Sequence, residues 1–284
     1  MNEKLVILAA GLSSRMKKSI SSKGVSSEAI QQANQISKGL IGLGKSKRPL
    51  LDYLINNARI SGYKSIYLII GEDSKLFKKT YSNNPNFSDL AISFAIQYIP
   101  EHRIKPLGTA DALVQVMEQY PELKKTSFSV CNSDNLYSVN ALSKLREDPA
   151  TNSFIAYDAK HLKFPEDRLS SFAVTILDNQ NKLLNIIEKP KKEEIDSFRD
   201  KHGVIRVSMN IFSFKGDQLY KYVKSCPIHE ERNEKELPIA VLNMIKDFPG
   251  SIQGIPMAEH VPDLTSKDDI IEIEKYLGEF YSHK

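Results

Sequence analysis

Apolar positions along the chain recur in two rhythms. Short runs dense in β-branched and aliphatic residues, at 4–10, 65–70, 92–98, 128–131 and 154–157, predict buried strands. Between them, apolar residues at helical spacing predict helices over 50–60, 74–81, 109–119 and 139–146. Pro49 opens the first of these helices and Gly62 lies just beyond its end. Alternating strand and helix units specify an α/β fold: a Rossmann-like mixed, mainly parallel sheet with helices on both faces.

After residue 170 the rhythm changes. Runs at 172–177 and 183–188 flank Asp178-Asn-Gln-Asn-Lys182, a turn-forming segment that predicts a β hairpin. A strand over 204–214 follows, then helices over 217–223, 237–246 and 267–281, with a strand over 251–256 between the last two. No internal repeat interrupts this order, so one elaborated domain over 1–284 is expected. Residues 16–37, rich in Ser, Lys and Gln with few apolar anchors, predict an inserted mobile loop or a short surface helix.

Composition narrows the class. With 41% hydrophobic and 26% charged residues and no biased tract, the chain is a globular protein. The net charge of +4 is small and interspersed, which argues against a nucleic-acid surface but leaves anionic small molecules open. Cys131 and Cys226 are the two cysteines, too few for a disulfide framework or a Cys-x-x-Cys metal cluster, and suit the cytoplasm. The apolar run 4–10 is too short to span a membrane, and residues 11–18 give no signal-peptidase context.

Candidate chemistry begins where the first strand ends, in Leu8-Ala-Ala-Gly-Leu-Ser-Ser-Arg-Met16. Gly11 removes a side chain where a phosphate can approach backbone amides, and Arg15 can grip phosphate oxygens in bidentate fashion. An ordinary strand-to-helix turn with a surface arginine would read the same way. Further on, Gly39-Leu-Ile-Gly-Leu-Gly-Lys-Ser46 satisfies the P-loop pattern, with Lys45 as phosphate ligand. Its context argues against it, because residues 31–38 before it are polar and Pro49 disfavours a helix beginning at Ser46.

Taken in order, several segments resemble the sugar nucleotidyltransferases, or nucleotide-sugar pyrophosphorylases. They are the glycine loop with Arg15; Ser37-Lys38-Gly39; Lys47-Arg-Pro-Leu-Leu-Asp-Tyr53; Pro106-Leu-Gly-Thr-Ala-Asp-Ala-Leu113; and Phe128-Ser-Val-Cys-Asn-Ser-Asp-Asn135. Ile186-Ile-Glu-Lys-Pro190, Val207-Ser-Met-Asn-Ile-Phe-Ser-Phe214 and Val261-Pro-Asp-Leu-Thr-Ser-Lys-Asp-Asp-Ile270 continue the series.

The resemblance implies a nucleotide-binding half over 1–150 and an acceptor-binding half, including the hairpin, over 151–284. Ala9, Ala10, Gly11, Leu12, Gly108, Thr109, Ala110 and Asp111 would hold the nucleotide. Arg15, Lys38 and Asp134 would be catalytic, which leaves Lys45 a decoy. Asp134 and Asp263 would hold Mg²⁺, and Asn135, Glu188, Lys189, Ser208 and Asn210 would line the acceptor site. Plainer readings stand beside these: Thr109 and Asp134 as helix caps, Glu188 and Lys189 as part of a solvated charge run through residue 194, and Thr265 with Asp268 as a capping box. The pattern also departs from the family's: Ser13 and Ser14 replace a glycine and a threonine, Ser133 stands where glycine is common, and the prolines around the catalytic lysine are missing.

The implied reaction joins a nucleoside triphosphate, UTP first, to a phosphorylated small-molecule acceptor, glucose 1-phosphate first, and releases pyrophosphate. The alternatives are a cytidylyltransferase for an alcohol phosphate, a non-catalytic nucleotide-sugar-binding protein, and a P-loop NTPase using Lys45.

Overall fold

The computed structural model describes residues 2–21, 24–169, 172–191 and 193–281, so Ser22 and Lys23 of the insertion and Lys192 of the charge run lie outside the described residues. Strand β1 (Lys4–Leu8) leads through the glycine loop to helices α1 (Ser14–Lys18) and α2 (Ser27–Gln35). A small hairpin of β2 (Gly42–Leu43) and β3 (Arg48–Pro49) precedes α3 (Leu50–Ile60). Then come β4 (Ser65–Gly71), α4 (Lys75–Tyr81), β5 (Ala91–Gln97), α5 (Thr109–Gln119), β6 (Ser127–Asn132), α6 (Val139–Glu147) and β7 (Ser153–Asp158). The remainder is α7 (Glu166–Leu169), β8 (Ala173–Leu177), β9 (Leu183–Ile187), β10 (Arg206–Lys215), α8 (Gly216–Lys224), α9 (Leu237–Asp247), β11 (Gln253–Met257) and α10 (Asp269–Phe280).

Strand order in the main sheet is β11-β7-β10-β6-β1-β4-β5, with the β8–β9 hairpin joined to β10 through β8. The neighbours β6-β1-β4-β5 are parallel, whereas β10 runs antiparallel to both β6 and β7. Alternation along β1 splits the core: Leu5 and Ile7 face one layer, which includes Leu54 of α3 and Leu142 of α6, and Val6 faces the other, with Leu113 of α5 and Val223 of α8. Helices therefore cover both faces, as the alternating pattern predicts. The helix bounds of α3 and α5 coincide with those read from periodicity. Gly62, with φ +92°, takes the left-handed position that ends α3, which a side chain would strain.

Register positions the site. Leu8 lies beside Ile69 of β4 and Asn132 of β6, so the chain leaves three parallel strands along one carboxyl edge, where open α/β sheets bind ligands.

Two segments that the sequence left with alternative readings take a definite form here. The segment 16–37 is largely helical among its described residues and better anchored than its composition suggests. Met16, Ala29 and Ala33 are buried, the Gln32 side chain accepts from Gly42 N at 2.8 Å, and Ser26 caps α2 by accepting from Ala29 N. Small alanines supply a packing face that a search for large apolar residues passes over. The P-loop alternative falls, as its sequence context argued: Lys38–Leu40 form a 3-10 turn, β2 and a reverse turn follow, and Lys45 is exposed at the hairpin tip. The helix begins only at Leu50, after Pro49.

Candidate active site

The glycine loop is tied to the lysine turn. Ser13, in the left-handed conformation, accepts a hydrogen bond from Lys38 N through its Oγ at 3.2 Å. Gly39 lies flat against Ser133, where an added Cβ would sit 3.4 Å from the Ser133 carbonyl, so the two turns pack edge to edge. This brings Lys38 Nζ into an ion pair with Asp134 at the end of β6. Arg15, on exposed α1, lines the same cleft.

Asp134 and Asp263 come together through backbone and side chain. Leu264 N donates to the Asp134 carbonyl at 2.8 Å, and Asn135 Nδ2 donates to Asp263 Oδ1 at 3.2 Å. Burial, followed by repulsion from Asp134, pushes the Asp263 carboxyl above the ordinary carboxylate range, and Arg168 offsets part of this. Asp263 Oδ2 accepts from Arg168 Nη2 at 2.6 Å and from Thr265 Oγ1 at 2.9 Å. Thr265 thus serves Asp263 rather than capping α10. It is Asp269, not Asp268, that accepts from the amides of Thr265 and Ser266.

A first cleft, of about 350 Å³, is lined by Ala9, Ala10, Gly11, Leu12, Gly108 and Thr109, the residues expected to hold the nucleotide. Gly108, with φ +119°, stands at the N-terminus of α5 where the backbone of Lys235 passes so close that a Cβ would lie 2.3 Å from its carbonyl oxygen. Two expected contacts fall away from this lining. Ala110 is fully buried with its N–H donated to the Lys235 carbonyl at 2.9 Å, and Asp111 accepts from Gln97 Nε2 and Gln115 Nε2. Nor does Thr109 cap its own helix; its Oγ1 accepts from Leu237 N at 2.9 Å, the start of α9. Gln97, which sequence reading missed, lines this cleft and donates to the Gly108 carbonyl at 2.9 Å.

A second cleft, of about 760 Å³, gathers Asn135, Glu188, Lys189, Ser208 and Asn210, the residues expected to line the acceptor site. The β10–β7 register shifts between Ser208 and Phe212; within that bulge Asn210 is left-handed and its N–H donates to Ser208 Oγ at 3.2 Å. Glu188 is half-buried and paired rather than free in solvent: its Oε2 accepts from Arg232 Nη2 at 2.8 Å. Arg168 and Arg232 were missed, Arg232 because the charge run 230–236 carries no periodicity. The run ends at Pro238, which sits in the first turn of α9, and that was the available signal.

The two clefts share Arg15, Thr109, Asn132, Asp134 and Glu234. Neither is built by one half of the sequence, since Glu234 reaches the first cleft and Arg15 the second. The buried thiol of Cys131, pushed far up by burial, is no nucleophile. Among the described residues no group of three or more His, Cys, Asp or Glu is placed to hold a metal, and no helix is long and apolar enough to cross a membrane.

The model of the family described as "Nucleotidyl transferase" matches residues 33–247. The chain belongs to that family. The match begins after the glycine loop and ends before Asp263, so the placing of Arg15 and Asp263 rests on geometry. The chain is similar to the bifunctional protein GlmU of Methanococcus maripaludis (strain C7), 26% identical over 79% of this chain and 46% of that protein. It is likewise similar to the bifunctional protein GlmU of Staphylococcus haemolyticus, 23% identical over 93% of this chain and 49% of that one. The chain therefore spans about half the length of these relatives. A crystal structure of UDP-glucose pyrophosphorylase complexed with UDP-glucose superposes over 100% of both chains with a TM-score of 0.71 at 15% identity, which shows a shared fold.

Proposed function

We propose that this nucleotidyl transferase family member transfers a nucleoside monophosphate from a triphosphate to a sugar 1-phosphate. The observation that carries this reading is the meeting of the two clefts at Arg15 and Asp134, with cationic side chains on both sides of the junction. An acceptor phosphate oxygen there attacks the α-phosphorus in line; the new O–P bond forms as the bond to the β-phosphate oxygen breaks, and pyrophosphate leaves with the electron pair. The nucleophile is already anionic, so positioning and charge neutralisation suffice. Arg15 takes the β- and γ-phosphates, Lys38 the reacting phosphates, and Lys189 the acceptor phosphate. Residues 1–150 supply most of the nucleotide side and residues 151–284 most of the acceptor side.

Mg²⁺ fits this site. Asp134 and Asp263 are oxygen donors pressed together closely enough to repel, and this ion takes one or two protein carboxylates plus substrate phosphates. When bound it supplies Lewis acidity and neutralises the phosphate oxygens.

The acceptor cleft favours a sugar over an alcohol phosphate of the choline type. Among its described lining residues Asn132, Asn135, Ser208, Asn210, Thr265 and Ser266 offer amide and hydroxyl groups to a polyol. Phe172 is the one aromatic among them, whereas a trimethylammonium group calls for several aromatic faces. UTP and glucose 1-phosphate are the first pair to test. The buried free cysteines suit a reducing cytoplasm. Pyrophosphate release measured across triphosphates and phosphorylated acceptors decides: the reading requires release only when both substrates are present. Release without acceptor, or binding of a nucleotide sugar with no turnover by any pair, overturns it.

A further inference from the structure

Resting on that reading, we propose that Arg232 is a positioning residue that sets Glu188 for the acceptor's hydroxyls, and that the segment 229–236 carrying it straps the acceptor side to the nucleotide side. The segment holds the nucleotide loop at several points. Lys235 N donates to the Leu107 carbonyl at 2.6 Å, and its own carbonyl accepts from Ala110 N at 2.9 Å. Lys105 Nζ pairs with Glu234 at 2.8 Å, and Arg103 Nη2 donates to the Asn233 carbonyl at 2.6 Å. Close passage of Lys235 is what requires glycine at position 108.

From this anchored strap Arg232 reaches across to the other wall. Its guanidinium bridges two carboxylates, Nη1 to Glu236 Oε1 at 2.5 Å and Nη2 to Glu188 Oε2 at 2.8 Å. Glu236 is itself buried at the start of α9, so one end of the bridge is fixed and Arg232 orients the other. Glu188 sits at the end of β9 beside left-handed Lys189, where the backbone alone does not set its rotamer. A planar fork holding two carboxylates does set it, and a lysine point charge does not reproduce that geometry. The pair also lowers the net negative charge facing an acceptor that already carries a phosphate.

Arg232→Ala should raise the KM for the acceptor about tenfold and leave the KM for the triphosphate within about twofold, the pattern of lost acceptor binding. Arg232→Lys should recover little of the loss. In a double-mutant cycle with Glu188→Ala, the double variant should be no worse than Glu188→Ala, because Arg232 acts through that carboxylate. Multiplying losses, a rise in the triphosphate KM equal to that of the acceptor, or full rescue by lysine would overturn the role of Arg232 while leaving the transferase reading intact. Absence of wild-type turnover with every sugar phosphate overturns that reading and this inference with it. Circular dichroism and Tm of each variant separate misfolding from misplacement; should Arg232→Ala not fold, Glu236→Gln, which loosens the fixed end of the bridge, must reproduce the acceptor-selective rise or the proposal fails.

Discussion

Lys38 and Asp134 form an ion pair across the floor of the cleft, joining the turn before β2 to the turn after β6. On the proposed reading, a phosphate drawn to Lys38 would come within reach of a cation held by Asp134. Ser13 holds the Lys38 backbone and Gly39 packs against Ser133, both contacts between segments distant in sequence.

Lys38→Ala should lower kcat by roughly 10²–10³, the usual cost of losing one charge-stabilising donor at a reacting centre. Lys45→Ala, at the exposed hairpin tip, should stay within about twofold of wild type. Steady-state pyrophosphate release measures both, and a larger loss at Lys45 would contradict the registration of the lysine turn.

Metal binding should be weak to the protein alone and tight once triphosphate is present, since the protein offers two carboxylates and the substrate supplies the remaining oxygens. Calorimetry with and without a non-hydrolysable triphosphate reads this directly. Asp134→Asn should remove most activity with the fold retained; undiminished turnover of that variant, or turnover in excess chelator, counts against the assignment.

Asp263→Asn should cost activity with little loss of stability. Burial and Asp134 hold its carboxyl above the ordinary range, so removing the charge relieves that repulsion and offsets the lost contact to Arg168 Nη2, while Arg168 Nη1 keeps Asp269. Pyrophosphate release and denaturant unfolding measure the two effects, and a stability loss above about 3 kcal/mol would show that the pairing with Arg168 outweighs the repulsion.

Acid should destabilise the fold through His260. Burial, with Lys163 and Arg168 nearby, lowers its pKa to about 4 from the ordinary 6.5. As pH falls from 6.5 towards 4, the unfolded chain takes up a proton that the folded one refuses, so stability present above 6.5 is lost across that window. The loss is on the order of 2 kcal/mol after allowance for partial exposure. His260→Phe, beside the rings of Phe164 and Tyr276, should flatten the decline of Tm with pH; an unaltered slope would refute the role.

Sequence by itself determined the class of fold and singled out Lys38 and Asp134 as candidates, which the structure brings into an ion pair. Period-two and helical spacings are local, so β1, α3 and α5 could be read from side-chain order, and the motif order singled out Lys38 over Lys45. Tertiary structure decided what depends on long-range packing. Ala110 and Asp111 belong to the motif expected to hold the nucleotide, yet the helix turns one into the core and the other towards Gln97. Asp263 looked like a free ligand until Arg168 arrived from a segment with no motif of its own. Arg232 lay in a charge run that reads as solvated surface, and it reached Glu188 because backbone bonds around Gly108 hold the strap across the cleft. Local patterns encode periodicity and turn chemistry; which charges meet across a sheet edge is set by packing between segments far apart in the chain.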